Sequence, residues 1–211
     1  MFPYILAALA LFEFARAAVI TERETITPLT TSQIEAFKPY SFYAAAAYCL
    51  PSKTLTWSCG GNPGFQPFAS GGDGSAVQFW YIGWDPTLSS VIVAHQGTNP
   101  TSIGFAAEQA KTASTILTAV ETLLTRHGSS SVITTGHSLG AAIAFSMPNK
   151  HDPIAIVPGE FLGFTHPAGE IHIGESGDWL CTVGDTPGLL EGNILDHLGP
   201  YDDNIFMGLC L

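Results

Sequence analysis

One serine of this chain stands in a setting that suits nucleophilic catalysis. Ser138 is the centre of Gly136-His137-Ser138-Leu139-Gly140, with β-branched residues at 132–135 before it and helix formers at 141–145 after it. A strand, a tight turn and a helix in this order form a nucleophile elbow, which holds the serine hydroxyl clear of the sheet. We predict a strained backbone at Ser138, close approach of strand and helix at the two glycines, and the backbone N–H of Leu139 facing a developing oxyanion.

A serine hydroxyl becomes a useful nucleophile only when a nearby base takes its proton. Four histidines follow Ser138, and spacing alone does not select among them: His151, His166, His172 and His197. His197 lies near the C-terminus in a segment with Gly199 and Pro200, which predicts a loop. Catalytic residues lie disproportionately on loops, so His197 is a candidate base.

The elements that would position these residues follow from hydrophobic periodicity and turn chemistry. An N-cap at Thr31-Ser32 precedes an apolar stretch at 33–48, which Pro39 should kink or split. Residues 58–75 are rich in Gly, Pro and Ser and predict a loop. The other predictions are strands at 77–84, 91–94 and 131–135 and helices at 105–126 and 141–147.

Length and composition indicate a single globular α/β domain. The chain has 211 residues, of which 46% are hydrophobic and 12% charged. The formal net charge of −11 should repel nucleic acid and anionic membrane surfaces. No stretch approaches the length of a transmembrane helix. Composition says nothing about oligomeric state.

Residues 1–17 predict a signal peptide, with 18–211 as the secreted mature domain. The apolar run Ile5–Leu11 is followed by Ala15-Arg16-Ala17, a small-x-small cleavage site. The alternative is a buried N-terminal helix. Four cysteines lack metal-ligand spacing, and an oxidising compartment makes disulfides the default. Spacing leaves all three full pairings of the four cysteines open.

Five segments in a fixed order give the chain a family resemblance. The chain resembles the fungal class 3 lipases, a lipase and feruloyl esterase family of α/β-hydrolases. The resemblance lies in residues 93–100, 136–140, 149–153, 163–173 and 196–201. The resemblance implies a substrate that is a lipid or another carboxylic ester, and no metal or cofactor. It also implies the site residues: Ser138 as nucleophile, Asp152 as triad acid, His197 as base, Thr98 and Leu139 as the oxyanion hole, and Cys49–Cys210 as a disulfide. His137 would then merely fill the variable position of the elbow, and the other histidines would be structural or solvated.

Three segments of the family pattern are missing. A lid helix and a strand are absent after Ser102, a helix-and-strand stretch after Ala144, and a short cysteine-bearing loop after Cys181. We therefore predict an α/β-hydrolase with a truncated central, mostly parallel sheet and no interfacial activation. Cys59 and Cys181 should lack their family partners, unless they pair with each other.

The second gap bears on function, because only 13 residues separate Ser138 from Asp152. A parallel βαβ unit takes roughly 30 residues. We predict that Ser138 and His197 lie near each other while Asp152 is displaced. The leading function is a secreted carboxylic-ester hydrolase with a Ser-Asp-His triad. The alternative is a catalytically impaired lipase-like protein that binds lipid or a partner, or a product of altered splicing or gene annotation.

Overall fold

The structure, a computed structural model, describes residues 27–97, 105–138, 140, 170–173, 178–182, 193–201 and 205–208. Its elements in chain order are β1 (Thr27–Pro28), α1 (Thr31–Glu35), α2 (Lys38–Ala46), α3 (Pro51–Leu55), β2 (Gln66–Gly71), β3 (Trp80–Asp85), β4 (Ser90–His95), α4 (Phe105–His127), β5 (Val132–Gly136), β6 (Glu170–Ile173) and β7 (Trp179–Thr182). A 3₁₀ helix spans Ile194–His197.

The larger sheet has the strand order β2-β3-β4-β5. β4 and β5 pair in parallel through the crossover helix α4, whereas β2–β3 and β3–β4 are antiparallel. The predicted α/β fold is confirmed, and its described strands form a mixed sheet rather than a mostly parallel one. Every residue of β4 is buried, as its continuous apolar run predicts for a strand covered on both faces.

Helices cover both faces of this sheet, because successive strand residues point to opposite sides. On one face, α2 packs on alternate residues of β3 and β4; this cluster includes Tyr43, Ala46, Ala47, Phe65, Tyr81, Ile92 and Ala94. On the other face, α4 packs on the residues between them; this cluster includes Trp80, Ile82, Trp84, Val91, Val93, Ala119 and Leu123. The small side chains of α2 let it lie close to the sheet.

The helix expected over residues 33–48 is two helices. Pro39 lies in the first turn of α2, where its missing N–H leaves no hydrogen bond unmade, so it begins a helix instead of kinking one. The first helix is capped by Thr30, one residue earlier than predicted. Thr30 forms a reciprocal capping box with Gln33.

Strand β2 contradicts the loop predicted over 58–75. It is an edge strand of the described sheet, and its register with β3 shifts between Pro67 and Ala69. Edge position and a bulge are the conditions under which a sheet tolerates proline. The turn-forming composition therefore concealed a real strand.

A second sheet was not predicted at all. Its strand order is β1-β7-β6, with antiparallel pairing throughout. Ile171, Ile173 and Trp179 form its core, against which Phe37 and Tyr201 pack. These strands are two to four residues long, too short for a periodic sequence signal.

The other sequence predictions fall partly on described residues. The strands expected at 77–84, 91–94 and 131–135 and the helix at 105–126 correspond to β3, β4, β5 and α4 within a few residues. The predicted helix 141–147 and signal peptide 1–17 lie outside the described residues. Among the described helices, none is both long and apolar enough to cross a bilayer.

Candidate active site

The chain turns sharply where β5 ends. β5 stops at Gly136, Ser138 has a left-handed backbone with φ of 57°, and Gly140 is helical. A residue other than glycine pays a steric cost in this region, and such strain concentrates at functional sites. The strained serine predicted from the sequence is confirmed.

The glycines around Ser138 sit where a side chain would strike backbone. A Cβ on Gly136 would overlap the backbone of Gly140, and a Cβ on Gly140 would overlap the carbonyl oxygen of His95. A Cβ on Gly97 would lie 3.0 Å from the Cβ of Ser138. The elbow thus packs against the end of β4, immediately before Thr98.

His197 ends the 3₁₀ helix Ile194–His197. The helix is capped by Asn193, whose side-chain oxygen accepts a hydrogen bond from the backbone N–H of Leu195 at 3.1 Å. The ring centroid of His197 lies 4.4 Å from that of His137, the residue directly before Ser138. The structure therefore brings the predicted base to the elbow.

His137 has more contacts than the sequence indicated. It is buried, and the hydroxyl of Tyr48 lies 2.6 Å from its Nδ1. Its Nε2 lies 2.5 Å from the backbone carbonyl oxygen of His197. These contacts could not be predicted from the sequence, because the elbow motif allows any residue at position 137 and Tyr48 is 89 residues away.

The remaining predicted site residues lie outside the described residues. They are Thr98, Leu139, Asp152 and Cys210. The structure thus joins the surroundings of Ser138 to His197, while the displacement of Asp152 stays a prediction. Among the described residues, no group of three His, Cys, Asp or Glu side chains could hold a metal ion.

The cysteines divide into one bonded and one free residue. Cys49 takes part in a disulfide, whereas Cys59 is a buried free thiol whose pKa is raised by burial. The possible pairing of Cys59 with Cys181 is therefore wrong. The side chain of Cys181 and all of Cys210 lie outside the description, so the Cys49–Cys210 disulfide stays a prediction.

Burial of His95 at the end of β4 makes stability depend on pH. Desolvation lowers the pKa of His95 from 6.5 to about 4. A lowered folded-state pKa contributes stability that is present above pH 6.5 and lost as pH falls toward 4, because the unfolded chain then binds the proton first.

We expect protonation of His95 to account for about 3 kcal/mol of the stability that is lost between pH 7 and pH 4. Urea unfolding at pH 7 and at pH 4 measures it. Between pH 7 and pH 4, the free energy of unfolding of His95→Gln should fall by about 3 kcal/mol less than that of the unmodified protein. An equal fall in both proteins would show that His95 is not the group responsible.

Comparison with known proteins gives a partial match to one family model and a shared fold. Residues 79–159, which contain β3, β4, α4, β5 and the elbow, match the family model described as lipase (class 3). No curated protein sequence matches the chain significantly.

Several solved fungal lipases share the fold. Lipase II from Rhizopus niveus aligns with a TM-score of 0.69 at 22% identity, covering 89% of this chain and 100% of that one. The triacylglyceride lipase of Rhizomucor miehei aligns with a TM-score of 0.70 at 16% identity and the same coverage. The lipase from Rhizopus microsporus var. chinensis aligns with a TM-score of 0.67 at 18% identity, covering 88% of this chain and 92% of that one.

The family match includes the elbow, and the similar structures extend over most of the chain. At these identities the structural likeness establishes the fold, and the family model adds a sequence similarity limited to residues 79–159. Over residues 79–159 the chain is similar to the class 3 lipases, and its fold is the α/β-hydrolase fold of the solved fungal lipases.

Proposed function

We propose that this protein is a secreted carboxylic-ester hydrolase that acts through an acyl-enzyme on Ser138. The observation that carries the proposal is the left-handed backbone of Ser138 in an elbow whose neighbouring histidine packs on the ring of His197. Strain at a serine, with a histidine beside its turn, is the arrangement that nucleophilic acyl transfer needs.

The proposed reaction has two halves. His197 takes the proton of Ser138 as its Oγ attacks the ester carbonyl carbon, and the carbonyl π electrons move onto the oxygen. The N–H groups of Thr98 and Leu139 stabilise this oxyanion. Collapse expels the alcohol, which receives the proton from His197, and a water then hydrolyses the acyl-enzyme by the same steps. Asp152 is the residue that the family resemblance assigns to orient His197.

Apolar side chains beside the base support an ester with a hydrocarbon portion. Leu195 is 67% exposed, and Leu198 and Phe206 are each 44% exposed. Leu195 and Leu198 flank His197 in sequence, and Met207, the neighbour of Phe206, donates its N–H to the carbonyl of Leu198. Large apolar residues left in water near a reactive group are typical of a binding surface for apolar substrate.

We expect hydrolysis of short-chain soluble esters with no interfacial activation, since the lid segment of the family is missing after Ser102. The rate should rise smoothly as the concentration of a short-chain triglyceride passes its solubility limit. Hydrolysis of p-nitrophenyl acetate, with an emulsified long-chain triglyceride for comparison, measures the preference. A sharp rise in rate at the limit would show that another segment acts as a lid. Activity on neither substrate class would refute the proposed function.

The impaired alternative rests on the short connection between Ser138 and Asp152. A misplaced acid would leave His197 poorly oriented, so Asp152→Asn should lower kcat less than about 10-fold. A correctly placed triad acid contributes roughly 10⁴-fold in the serine proteases. Comparing kcat of Asp152→Asn with that of the unmodified protein on p-nitrophenyl acetate distinguishes a displaced Asp152 from a complete triad. A loss near 10⁴-fold would show that Asp152 completes a full triad.

A further inference from the structure

A buried hydroxyl links three segments of the candidate active site. Tyr48 lies two residues after the end of α2, and its phenol oxygen lies so close to Gly97 that a Cβ there would be only 2.2 Å from it. The same oxygen lies 2.6 Å from Nδ1 of His137, whose Nε2 lies 2.5 Å from the carbonyl oxygen of His197. One phenol therefore touches the residue before Thr98 and, through one imidazole, the backbone of the base.

The protons of this chain can be assigned from chemistry. A carbonyl oxygen only accepts, so Nε2 of His137 must carry a hydrogen and donate it to His197. In a neutral ring Nδ1 is then an acceptor, and the hydroxyl of Tyr48 donates to it. Burial raises the pKa of Tyr48, which keeps the phenol protonated and able to donate. Each of these donors and acceptors has a partner.

The contacts on His197 suit orientation of the base. Its carbonyl also accepts a hydrogen bond from the hydroxyl of Tyr201 at 3.2 Å, so two donors from different segments fix its backbone. The ring of His137 lies at 35° to the ring of His197 and limits its rotation. A neutral His137 also avoids repelling the imidazolium that forms on His197 during acyl transfer.

We propose that Tyr48 and His137 are positioning residues, with His137 held as the neutral Nε2–H tautomer so that it fixes the backbone and ring of His197. The inference rests on the proposed function for its effect on rate. The tautomer and the contact with His197 are independent of it. A buried histidine with two hydrogen bonds could serve stability alone, and the test separates that role from positioning.

The experiment combines histidine NMR with kinetics on the full chain. Selective ¹⁵N labelling of histidine should show His137 as the neutral Nε2–H tautomer at pH 7. Tyr48→Phe keeps the ring but removes the hydroxyl, and should shift the imidazole signals of His197. It should also lower kcat for p-nitrophenyl acetate about 10-fold with KM unchanged, the factor for one ordinary hydrogen bond.

Tyr81→Phe is the matched control. It removes another buried phenol, whose hydroxyl donates to the carbonyl of Tyr43 at 2.7 Å in the core on the α2 face of the sheet. This variant should leave the signals of His197 and kcat unchanged, whatever it costs in stability.

Three results would overturn the inference: a protonated or Nδ1–H form of His137, signals of His197 that do not move in Tyr48→Phe, or an equal effect of Tyr81→Phe. If Tyr48→Phe does not fold, the tautomer of His137 in the unmodified protein still tests the inference. An inactive unmodified protein with the expected NMR result would instead refute only the proposed function.

Discussion

Replacing Ser138 by alanine is expected to lower kcat for ester hydrolysis by at least about 10⁴-fold, with the protein still folded. No other described residue stands in an elbow, and removing the nucleophile of a serine hydrolase leaves only the contribution of binding and the oxyanion hole. The rate on p-nitrophenyl acetate measures the loss. A fluorophosphonate should label Ser138 alone in the unmodified protein, and peptide mapping identifies the adduct.

Ser89→Ala gives a closely matched control. Ser89 also has a left-handed backbone, with φ of 49°, and it is exposed in the turn between β3 and β4. The same chemical change at the same kind of backbone should leave both kcat and labelling unaffected. An adduct that persists in Ser138→Ala would place the nucleophile elsewhere.

Replacing Gly140 by alanine is expected to destabilise the fold by about 3 kcal/mol, the upper part of the range for overpacking. Alanine normally favours a helix over glycine by about 1 kcal/mol, so propensity alone predicts the opposite sign. The clash dominates because the new Cβ would overlap the backbone carbonyl oxygen of His95, a buried residue at the end of β4. Backbone there cannot yield as a flexible side chain does. Urea denaturation measures the loss, and labelling of Ser138 should fall with it.

Gly128→Ala separates the clash from the general effect of a methyl group. Gly128 has φ of 61° at the end of α4, and a Cβ there would meet nothing within 4 Å. Gly128→Ala should therefore destabilise the fold only through the strain of alanine in a left-handed backbone, which is roughly 1 kcal/mol. Equal losses at Gly140 and Gly128 would show that the elbow does not pack as described.

The sequence predicted the elements whose signal is local. The buried run of β4, the periodicity of α4 and the strained turn at Ser138 all follow from residues adjacent in the chain. The edge strand β2 was missed because its glycine and proline are turn formers, and only pairing with β3 makes it a strand. The strands β6 and β7 were missed because each is stable only against its neighbours.

The candidate site shows the same division. Ser138 follows from a pentapeptide, and His197 was selected through a family resemblance rather than through spacing. The role of His137 could not be predicted, because it depends on a phenol and a carbonyl brought from opposite ends of the chain. A hydrogen bond between distant segments leaves no periodic trace in either one.

The link from Tyr48 through His137 to His197 has a consequence for how the site forms during folding. Its two hydrogen bonds close separations of 89 and 60 residues, which together span most of the domain. Closing loops of this length costs entropy before any contact offsets it, so such contacts are slow to form. The α2, β5 and C-terminal segments must all have docked before the base is oriented. Refolding should therefore restore secondary structure before ester hydrolysis, and a fragment that lacks any one of the three segments should not hydrolyse esters.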